Sequence, residues 1–289
     1  MPNQNMTDEE WGNLSIKAGQ AFSPSAPIDV KTLFAGRIEL MQQTIDVCNQ
    51  KGQHAILFGE RGVGKTSLAN ILTTFYRLGE KATINLLSPK INCDASDNYT
   101  SIWKKIFSQI EISQKINEIG FTGNSADLKL NYADQFGDNI SPDEVRQALT
   151  LLTANTILIL IIDEFDRIED LKTKTAIADT IKTLSDHAVG VTLILVGVAD
   201  TIDELIEEHF SIERALVQIR IPRMSKMESS EIIDKGLKVL DMEIEEAAKN
   251  HIVLLSQGLP HYTHLLGLHS ARQAIKRKSL SITFSDVES

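Results

Sequence analysis

The sequence between residues 59 and 66 reads Gly59-Glu60-Arg61-Gly62-Val63-Gly64-Lys65-Thr66. Every fixed position of this stretch matches G-x-x-x-x-G-K-[ST], the spacing of a phosphate-binding loop. The residues before it, 54–58, form a mostly apolar run that predicts a short buried strand. After it, apolar residues recur at helical spacing, at Leu68, Ile71, Leu72 and Phe75. A loop between a strand and a helix is the context in which this motif binds phosphate, so we expect a nucleotide site here.

The residue types in the loop follow from what a phosphate group needs. Glycines allow the backbone to turn tightly, so that successive N–H groups face the phosphate oxygens. The N-terminus of the following helix adds a partial positive charge, and Ser67 lies in its first turn. Lys65 can reach the β- and γ-phosphates, and the Thr66 hydroxyl can ligate Mg²⁺. The sequence therefore assigns residues 59–67 to nucleotide binding.

A second part of the site is expected at the end of another strand. Asp163 follows the apolar run 157–162, and an aspartate in that place can hold magnesium directly or through water. Glu164 comes next, and a carboxylate beside the metal ligand can orient and deprotonate an attacking water. The two acids together indicate hydrolysis as well as binding.

Composition and charge exclude several classes of protein. The chain has 289 residues, of which 42% are apolar and 24% are charged, an ordinary globular balance that allows about two domains. The apolar run 157–162 is far shorter than the roughly 20 residues of a membrane span, and the start of the chain has no secretory signal pattern. Cys48 and Cys93 are in no paired spacing, which excludes a disulfide framework and fits the cytoplasm. The net charge of −10 gives the whole chain no footprint for nucleic acid.

Strand-like and helix-like segments alternate through the middle of the chain, which predicts an α/β fold with a parallel sheet. The expected strands are 54–58, 90–93, 156–162, 191–196 and 217–221. The polar stretch 120–140 predicts a long loop, either a disordered surface insertion or a partner-binding one. Three helices are expected after Arg223, at 226–240, 243–257 and 260–276.

We therefore expect three parts: an N-terminal arm at 1–30, a nucleotide-binding core at 31–224 and a small all-helical domain at 225–289. Thr7 and Glu10 match a capping box that opens a helix in the arm. That arm is either a floppy terminus or a helix docked on a neighbouring domain or subunit. A helix-start pattern at Ser285 close to the last residue suggests that a C-terminal region is missing.

Together these features resemble the AAA+ ATPases, and within them the origin-recognition and initiator clade and the STAND-type switches. The likeness rests on residues 33–37 (Leu-Phe-Ala-Gly-Arg), 91–93 (Ile-Asn-Cys) and 163–167 (Asp-Glu-Phe-Asp-Arg) as well as the loop. It implies a P-loop NTPase with a five-stranded sheet in the order 5-1-4-3-2 and a helical lid. It also implies ATP and Mg²⁺ as cofactors, Arg37 near the adenine, and Asn92 as the residue that restrains Glu164.

Further roles are implied at positions that the family uses. Arg214 would be the arginine finger that reaches into the next subunit, with Arg220 and Arg223 as competitors, or else a surface arginine. Asp200 replaces the usual sensor residue after the fourth strand, so a helix N-cap is an equal alternative. His261 stands where the lid normally carries an arginine, and would be a weaker, pH-dependent phosphate contact.

Three functions remain open from the sequence. The first is an ATP-hydrolysing regulator that forms a homo-oligomer or a hetero-complex and signals to an effector protein, in bacterial defence or mobile-element control. The second is a DNA-binding initiator or loader, which the acidic charge disfavours. The third is a monomeric STAND-like switch that holds ADP. The basic residues Arg272 and 276–278 are expected to form a solvated helix end rather than a nucleic-acid contact.

Overall fold

The computed structural model of the chain describes residues 6–24, 37–79, 85–117, 125–154, 156–199, 212 and 214–289. The segment 33–36 and Asp200, both named above for sequence reasons, lie outside the described residues. The chain divides into two compact units. Residues 1–43, 59–78 and 220–289 form the first unit, and residues 44–58 and 79–219 form the second.

The described helices are α1 (Asp8–Ala21), α2 (Ile38–Cys48), α3 (Lys65–Gly79), α4 (Tyr99–Phe107), α5 (Pro142–Leu152), α6 (Leu171–Asp186), α7 (Lys226–Leu240), α8 (Glu246–Ser256), α9 (Pro260–Lys276) and α10 (Phe284–Glu288). The described strands are β1 (His54–Gly59), β2 (Asn85–Leu87), β3 (Lys90–Asn92), β4 (Glu111–Asn117), β5 (Ser125–Asn131), β6 (Thr156–Asp163), β7 (Val191–Val198), β8 (Leu216–Arg220), β9 (Glu243–Ile244) and β10 (Ser281–Ile282). None of the described helices combines the length and apolar character that crossing a membrane requires.

The central sheet has the strand order β8-β1-β7-β6, with β2 and β3 both paired to the outer edge of β6. Numbered by their succession in the core, these strands give the order 5-1-4-3-2, so the predicted fold is confirmed. β6 and β7 pair in parallel from Leu158 opposite Val191 to Ile162 opposite Leu195. Every residue of β1 is buried, as expected for a strand with apolar side chains on both faces.

The second core strand is split in two, which the sequence did not predict. β2 places Leu86 opposite Ile157, and β3 places Ile91 opposite Ile162. Pro89 lies in the break and has no N–H to give to the ladder, although its carbonyl accepts a hydrogen bond from Ile161 N at 3.0 Å. The proline therefore interrupts the strand without detaching it from β6.

The prediction of a long loop at 120–140 is wrong for residues 125–135, and residues 120–124 lie outside the described residues. β4 and β5 form an antiparallel hairpin, and a 3₁₀ turn at Tyr132–Gln135 follows it. Tyr132 is buried, and Phe136 stacks on Phe107 of α4 with ring centroids 4.5 Å apart. The mostly polar composition of this stretch predicted a loop. The two aromatic side chains of Tyr132 and Phe136 are nevertheless enough to pack the segment after the hairpin against the hydrophobic core.

In the first unit, the N-terminal helix α1 packs against α7 and α9. Its capping box is present, since Thr7 and Glu10 satisfy each other's backbone N–H groups. Of the two expectations for the arm, the structure has the docked helix. The buried apolar residues of α1 and its C-terminal end join one core with the C-terminal helices, and they are Trp11, Leu14, Ala18, Ala21 and Phe22.

Phe22 occupies a socket made by two glycines. A Cβ added to Gly236 of α7 would stand 2.3 Å from the Phe22 ring, and one added to Gly267 of α9 would stand 2.7 Å from it. Phe22 itself has no exposed surface. The two helices can approach the ring this closely only because neither carries a side chain at that position.

The C-terminal helices begin as predicted at Ser225 and Pro260, with a capping box at Ser225 and proline in the first turn of α9. Two details differ from the all-helical expectation. The short strands β9 and β10 pair in parallel. The last helix start is real, but Thr283 rather than Ser285 is its N-cap.

Candidate functional site

The phosphate-binding loop begins where β1 ends and takes a backbone path that favours glycine. Gly59, Gly62 and Gly64 have φ values of 145°, 83° and 93°, all in the region that side chains rarely adopt. A Cβ on Gly59 would stand 2.4 Å from the carbonyl oxygen of Ile221. The motif glycines therefore carry both the turn and the close approach of the backbone.

Lys65 opens α3 and folds back over its own loop. Its Nζ donates hydrogen bonds to the carbonyls of Gly59 at 2.9 Å and Glu60 at 2.8 Å, and the residue is 7% exposed. Thr66 and Ser67 follow in the first turn of α3, where helix geometry directs backbone N–H groups toward the N-terminus. The ammonium group and the helix end thus supply positive charge at one place.

Arg37 brings a second positive charge to the loop. Its Nη2 donates to the carbonyl of Pro222 at 2.7 Å, and its backbone N–H donates to Glu228 at 3.1 Å. Its Nη1 is buried and has no hydrogen-bond partner among the described residues, and it lies 3.5 Å from the Cβ position of Gly64. Burial lowers the pKa of Arg37 to about 10, while the nearby Glu228 opposes that shift. A buried, unpaired guanidinium N–H beside the glycine loop fits an anionic phosphate ligand.

Arg223 pairs with the loop itself. Its Nη2 and Nε donate to Glu60 at 2.7 and 3.0 Å, and this hydrogen bonding lowers the pKa of the Glu60 carboxyl. The sequence offered Arg223 as a competitor for the arginine finger, but this contact lies within its own chain. The pairing was not predicted, because no spacing rule links positions 60 and 223.

The start of α9 lies against the loop. Leu259 Cδ2 is 3.9 Å from the Cβ position of Gly62, and Pro260 Cγ is 3.6 Å from that of Gly64. His261 is exposed, and its Nδ1 lies 2.6 Å from the carbonyl oxygen of Pro24. The turn before α9 therefore lies at the loop, whereas its role as part of a lid and the role of His261 toward nucleotide stay predictions.

In the second unit, β6 ends at Asp163, which is almost fully buried. Its Oδ2 lies 2.9 Å from Lys90 Nζ, and its Oδ1 accepts the backbone N–H of Glu164 at 2.9 Å. Asn92 of β3 is directly opposite Asp163 in the parallel register. The structure thus brings the predicted acid and the predicted asparagine together, and adds a lysine that sequence reasoning missed.

Glu164 has an unusual backbone conformation. Its φ of 56° is in the left-handed region, which is uncommon for a residue with a side chain and costs about 1–3 kcal/mol. The side chain is exposed, and its Oε2 lies 3.4 Å from Arg167 Nη1. Such a strained residue directly after a buried strand marks a functional candidate. The restraint of Glu164 by Asn92 stays a prediction.

Three further residues named from the sequence are Arg214 and the two cysteines. Arg214 is exposed in the turn before β8, and its role stays a prediction. Cys48 and Cys93 are free, and burial raises the pKa of each thiol to about 12. In the part of the chain that the structure describes, there is no group of three or more His, Cys, Asp or Glu residues suited to hold a metal ion.

Comparison with known proteins gives consistent matches. A family model described as "AAA domain" matches residues 48–206. The structure is similar to the Drosophila origin recognition complex (ORC) bound to DNA, with 14% identity and a TM-score of 0.61 over 99% of this chain and 67% of that one. It is also similar to Aeropyrum pernix ORC1 in complex with DNA, with 15% identity and a TM-score of 0.60 over 93% of this chain and 67% of that one.

The Thermotoga maritima RuvB Holliday junction branch migration motor is similar at 18% identity and a TM-score of 0.53, over 88% of this chain and 68% of that one. A search of curated protein sequences returned no match. At these identities, the structural likeness establishes the fold, and the family match covers more than half of the chain.

Proposed function

Because this chain belongs to the AAA domain family and has the AAA+ P-loop fold, we propose that it binds ATP at residues 59–67 and hydrolyses it to ADP and phosphate. The observation that carries the proposal is the cationic cradle around the loop. Lys65 covers the loop carbonyls, and Arg37 directs a buried, unpaired N–H toward Gly64. Buried positive charge beside glycines with positive φ angles favours the binding of a polyphosphate.

The proposed roles follow the chemistry of each group. When bound, Mg-ATP supplies a γ-phosphoryl group whose transfer to water is favourable. The loop N–H groups and Lys65 hold the phosphates. Arg37, which the family resemblance placed near the adenine, is proposed to add a charge-assisted hydrogen bond to a phosphate oxygen instead. Thr66 and Asp163 are the proposed Mg²⁺ ligands.

Hydrolysis is proposed to depend on Glu164 and Asn92. Glu164 orients and deprotonates the attacking water, and its exposed carboxylate is consistent with a general base. Asn92, opposite Asp163 in the register, is proposed to restrain Glu164 until the site is complete. His261 is proposed as a lid contact to nucleotide.

We further propose that ATP binding drives assembly through Arg214, into a homo-oligomer or a complex with an effector protein. The output then goes to that partner, in bacterial defence or in the control of mobile elements. Free thiols at Cys48 and Cys93, the first partly and the second fully buried, suit a cytoplasmic location. A monomeric STAND-like switch is the alternative if nucleotide changes no assembly.

A DNA-dependent loader is the second candidate function, because the ORC1 and ORC structures are of DNA complexes. The charges of this chain oppose it. Lys278 pairs with Asp8 and Arg277 pairs with Asp286, so part of the only basic run is neutralised. A DNA-stimulated ATPase whose stimulation falls steeply with salt would favour this candidate instead.

Phosphate release at saturating Mg-ATP tests the proposal. We expect turnover by the wild type, none by Lys65→Ala, and none by Glu164→Gln, which should still bind ATP. Glu169→Gln, an exposed acid shortly after Glu164, is the matched control and should retain turnover. Equal turnover in Glu164→Gln and the wild type would remove Glu164 from the mechanism, and turnover in Lys65→Ala would point to a contaminating enzyme.

A further inference from the structure

Lys90 forms an ion pair with the acid at the end of β6. Its Nζ lies 2.9 Å from Asp163 Oδ2, and the side chains are 26% and 4% exposed. Lys90 is two residues before Asn92 on β3, so both side chains are on the same face of the strand. The ammonium group of Lys90 is therefore paired with the same Asp163 carboxylate that is proposed to bind Mg²⁺.

The backbone of Lys90 is fixed by hydrogen bonds, and its ammonium group is carried on a long, flexible stem. Gln109, just after α4, accepts a hydrogen bond from Lys90 N at 3.0 Å and donates one to Lys90 O at 2.6 Å. Since β3 lies on the outer edge of β6, the two bonds satisfy backbone groups that an edge strand would leave open. The four-carbon stem of lysine can still rotate the ammonium away from the carboxylate.

We propose that Lys90 is an internal counter-ion that competes with Mg²⁺ for Asp163, and thereby sets the Mg²⁺ concentration at which nucleotide is held as its metal complex. This inference rests on the proposed function. Burying Asp163 without a cation is costly, so Lys90 stabilises the carboxylate when no metal is present. The same pairing must be given up before the carboxylate serves the metal, so Lys90 is a positioning residue and not a catalytic one.

The Mg²⁺ dependence of mant-ATP binding tests this idea. Replacing Lys90 with methionine removes the competing charge and keeps the length of the side chain, so the half-saturating Mg²⁺ concentration should fall about tenfold. Lys90→Arg keeps a cation and should not lower it. Lys104→Met is the matched control, because Lys104 pairs with the exposed Asp138 at 3.6 Å, and it should leave the midpoint unchanged.

The decisive comparison uses an Asp163→Asn background. Competition requires the carboxylate, so Lys90→Met should have no effect on the Mg²⁺ midpoint once Asp163 is asparagine. A purely structural role of Lys90 would weaken binding in both backgrounds. An unchanged or raised midpoint in Lys90→Met, or the same shift in both backgrounds, would overturn the proposal.

Mn²⁺ alone, followed by electron paramagnetic resonance, separates this inference from the proposed function. Lys90→Met should bind Mn²⁺ about tenfold more tightly than the wild type, and Asp163→Asn should abolish the gain. If mant-ATP binds no variant at any Mg²⁺ concentration, the ATPase proposal fails, while the Mn²⁺ comparison still decides the role of Lys90. No gain in Mn²⁺ binding would refute the competition.

Discussion

The guanidinium of Arg37 faces the backbone of Gly64, with its Nη1 3.5 Å from the point where a Cβ of that glycine would stand. The Nη1 is buried and unpaired among the described residues, although Nη2 is bound to Pro222. A buried donor without a partner is costly, and a phosphate oxygen would satisfy it. The relationship connects a residue far upstream with the glycine loop and makes Arg37 part of the proposed nucleotide site.

Replacing Arg37 with glutamine should weaken ATP binding. A hydrogen bond to a charged group contributes about 1.5–3 kcal/mol, so the dissociation constant should rise roughly 10- to 100-fold. Titration calorimetry with Mg-ATP measures the change. Arg272→Gln, an exposed arginine of α9, is the control and should bind as the wild type does. Equal affinities of Arg37→Gln and the control would exclude Arg37 from the site.

Arg214 should act on a neighbouring subunit. The Arg214→Ala variant keeps Glu164 but lacks the finger, and the Glu164→Gln variant keeps the finger but lacks the general base. Each variant alone should therefore be nearly inactive. Mixing the two should restore turnover, because some interfaces then combine Glu164 of one chain with Arg214 of the next.

The arginine at position 220 provides the control for that experiment. Arg220→Ala, exposed at the end of β8, should hydrolyse ATP alone. Light scattering of Glu164→Gln should also show a discrete multimer with Mg-ATP and a smaller species with ADP. Absence of recovery in the mixture, together with a monomer in both nucleotides, would refute the assembly and favour the monomeric switch.

The socket around Phe22 should be intolerant of a single methyl group. In Gly236→Ala the new Cβ would stand 2.3 Å from the ring, so we expect a loss of about 1–3 kcal/mol in the free energy of unfolding. Gly12→Ala in α1 meets nothing within 4 Å, and it should be neutral or stabilising, because alanine favours a helix. Urea unfolding measures both variants.

A second substitution checks the cause of that loss. Adding Phe22→Leu to Gly236→Ala relieves the collision, so the double variant should be less destabilised than the sum of its two single variants. Strict additivity would show that the glycine acts through backbone flexibility and not through the ring.

His264 should make the chain sensitive to acid. Burial, with a smaller contribution from His261, lowers the pKa of His264 from 6.5 to about 4. Below pH 6.5 the unfolded chain binds a proton that the folded chain resists until about pH 4, so stability falls as the pH is lowered. From pH 7 to pH 5 the loss attributable to His264 should be about 2 kcal/mol.

Urea unfolding at the two pH values measures this dependence. His264→Gln should lose less stability than the wild type on acidification, whatever its stability at pH 7. His269→Gln, an exposed histidine of the same helix, is the matched control and should behave as the wild type does. An unchanged pH dependence in His264→Gln would show that another group is responsible.

The fold was largely predictable because its signals are local or belong to a family pattern. The glycine loop, the apolar run of β6 and the capping boxes at Thr7 and Ser225 are each readable within a few residues. The strand order came from the family resemblance, and the pairing of β8, β1, β7 and β6 confirmed it.

What the sequence could not predict depends on residues that are distant along the chain. The pairs Lys90 with Asp163 and Glu60 with Arg223 arise only when strand register and chain path are known. The ring of Phe22 contacts two glycines more than two hundred residues away in the sequence. Because glycine has no side chain, its position in a sequence does not indicate that it packs against a ring. The hairpin at β4 and β5 was missed because its residues are mostly polar.

Equilibrium binding of Mg-ATP to the wild type and to Lys65→Ala tests the central claim most directly. We expect one ATP bound per chain, and an affinity reduced at least about 100-fold in Lys65→Ala, with the nucleotide-free variant still folded by circular dichroism. The absence of saturable binding by the wild type, or equal binding by both proteins, would contradict the account.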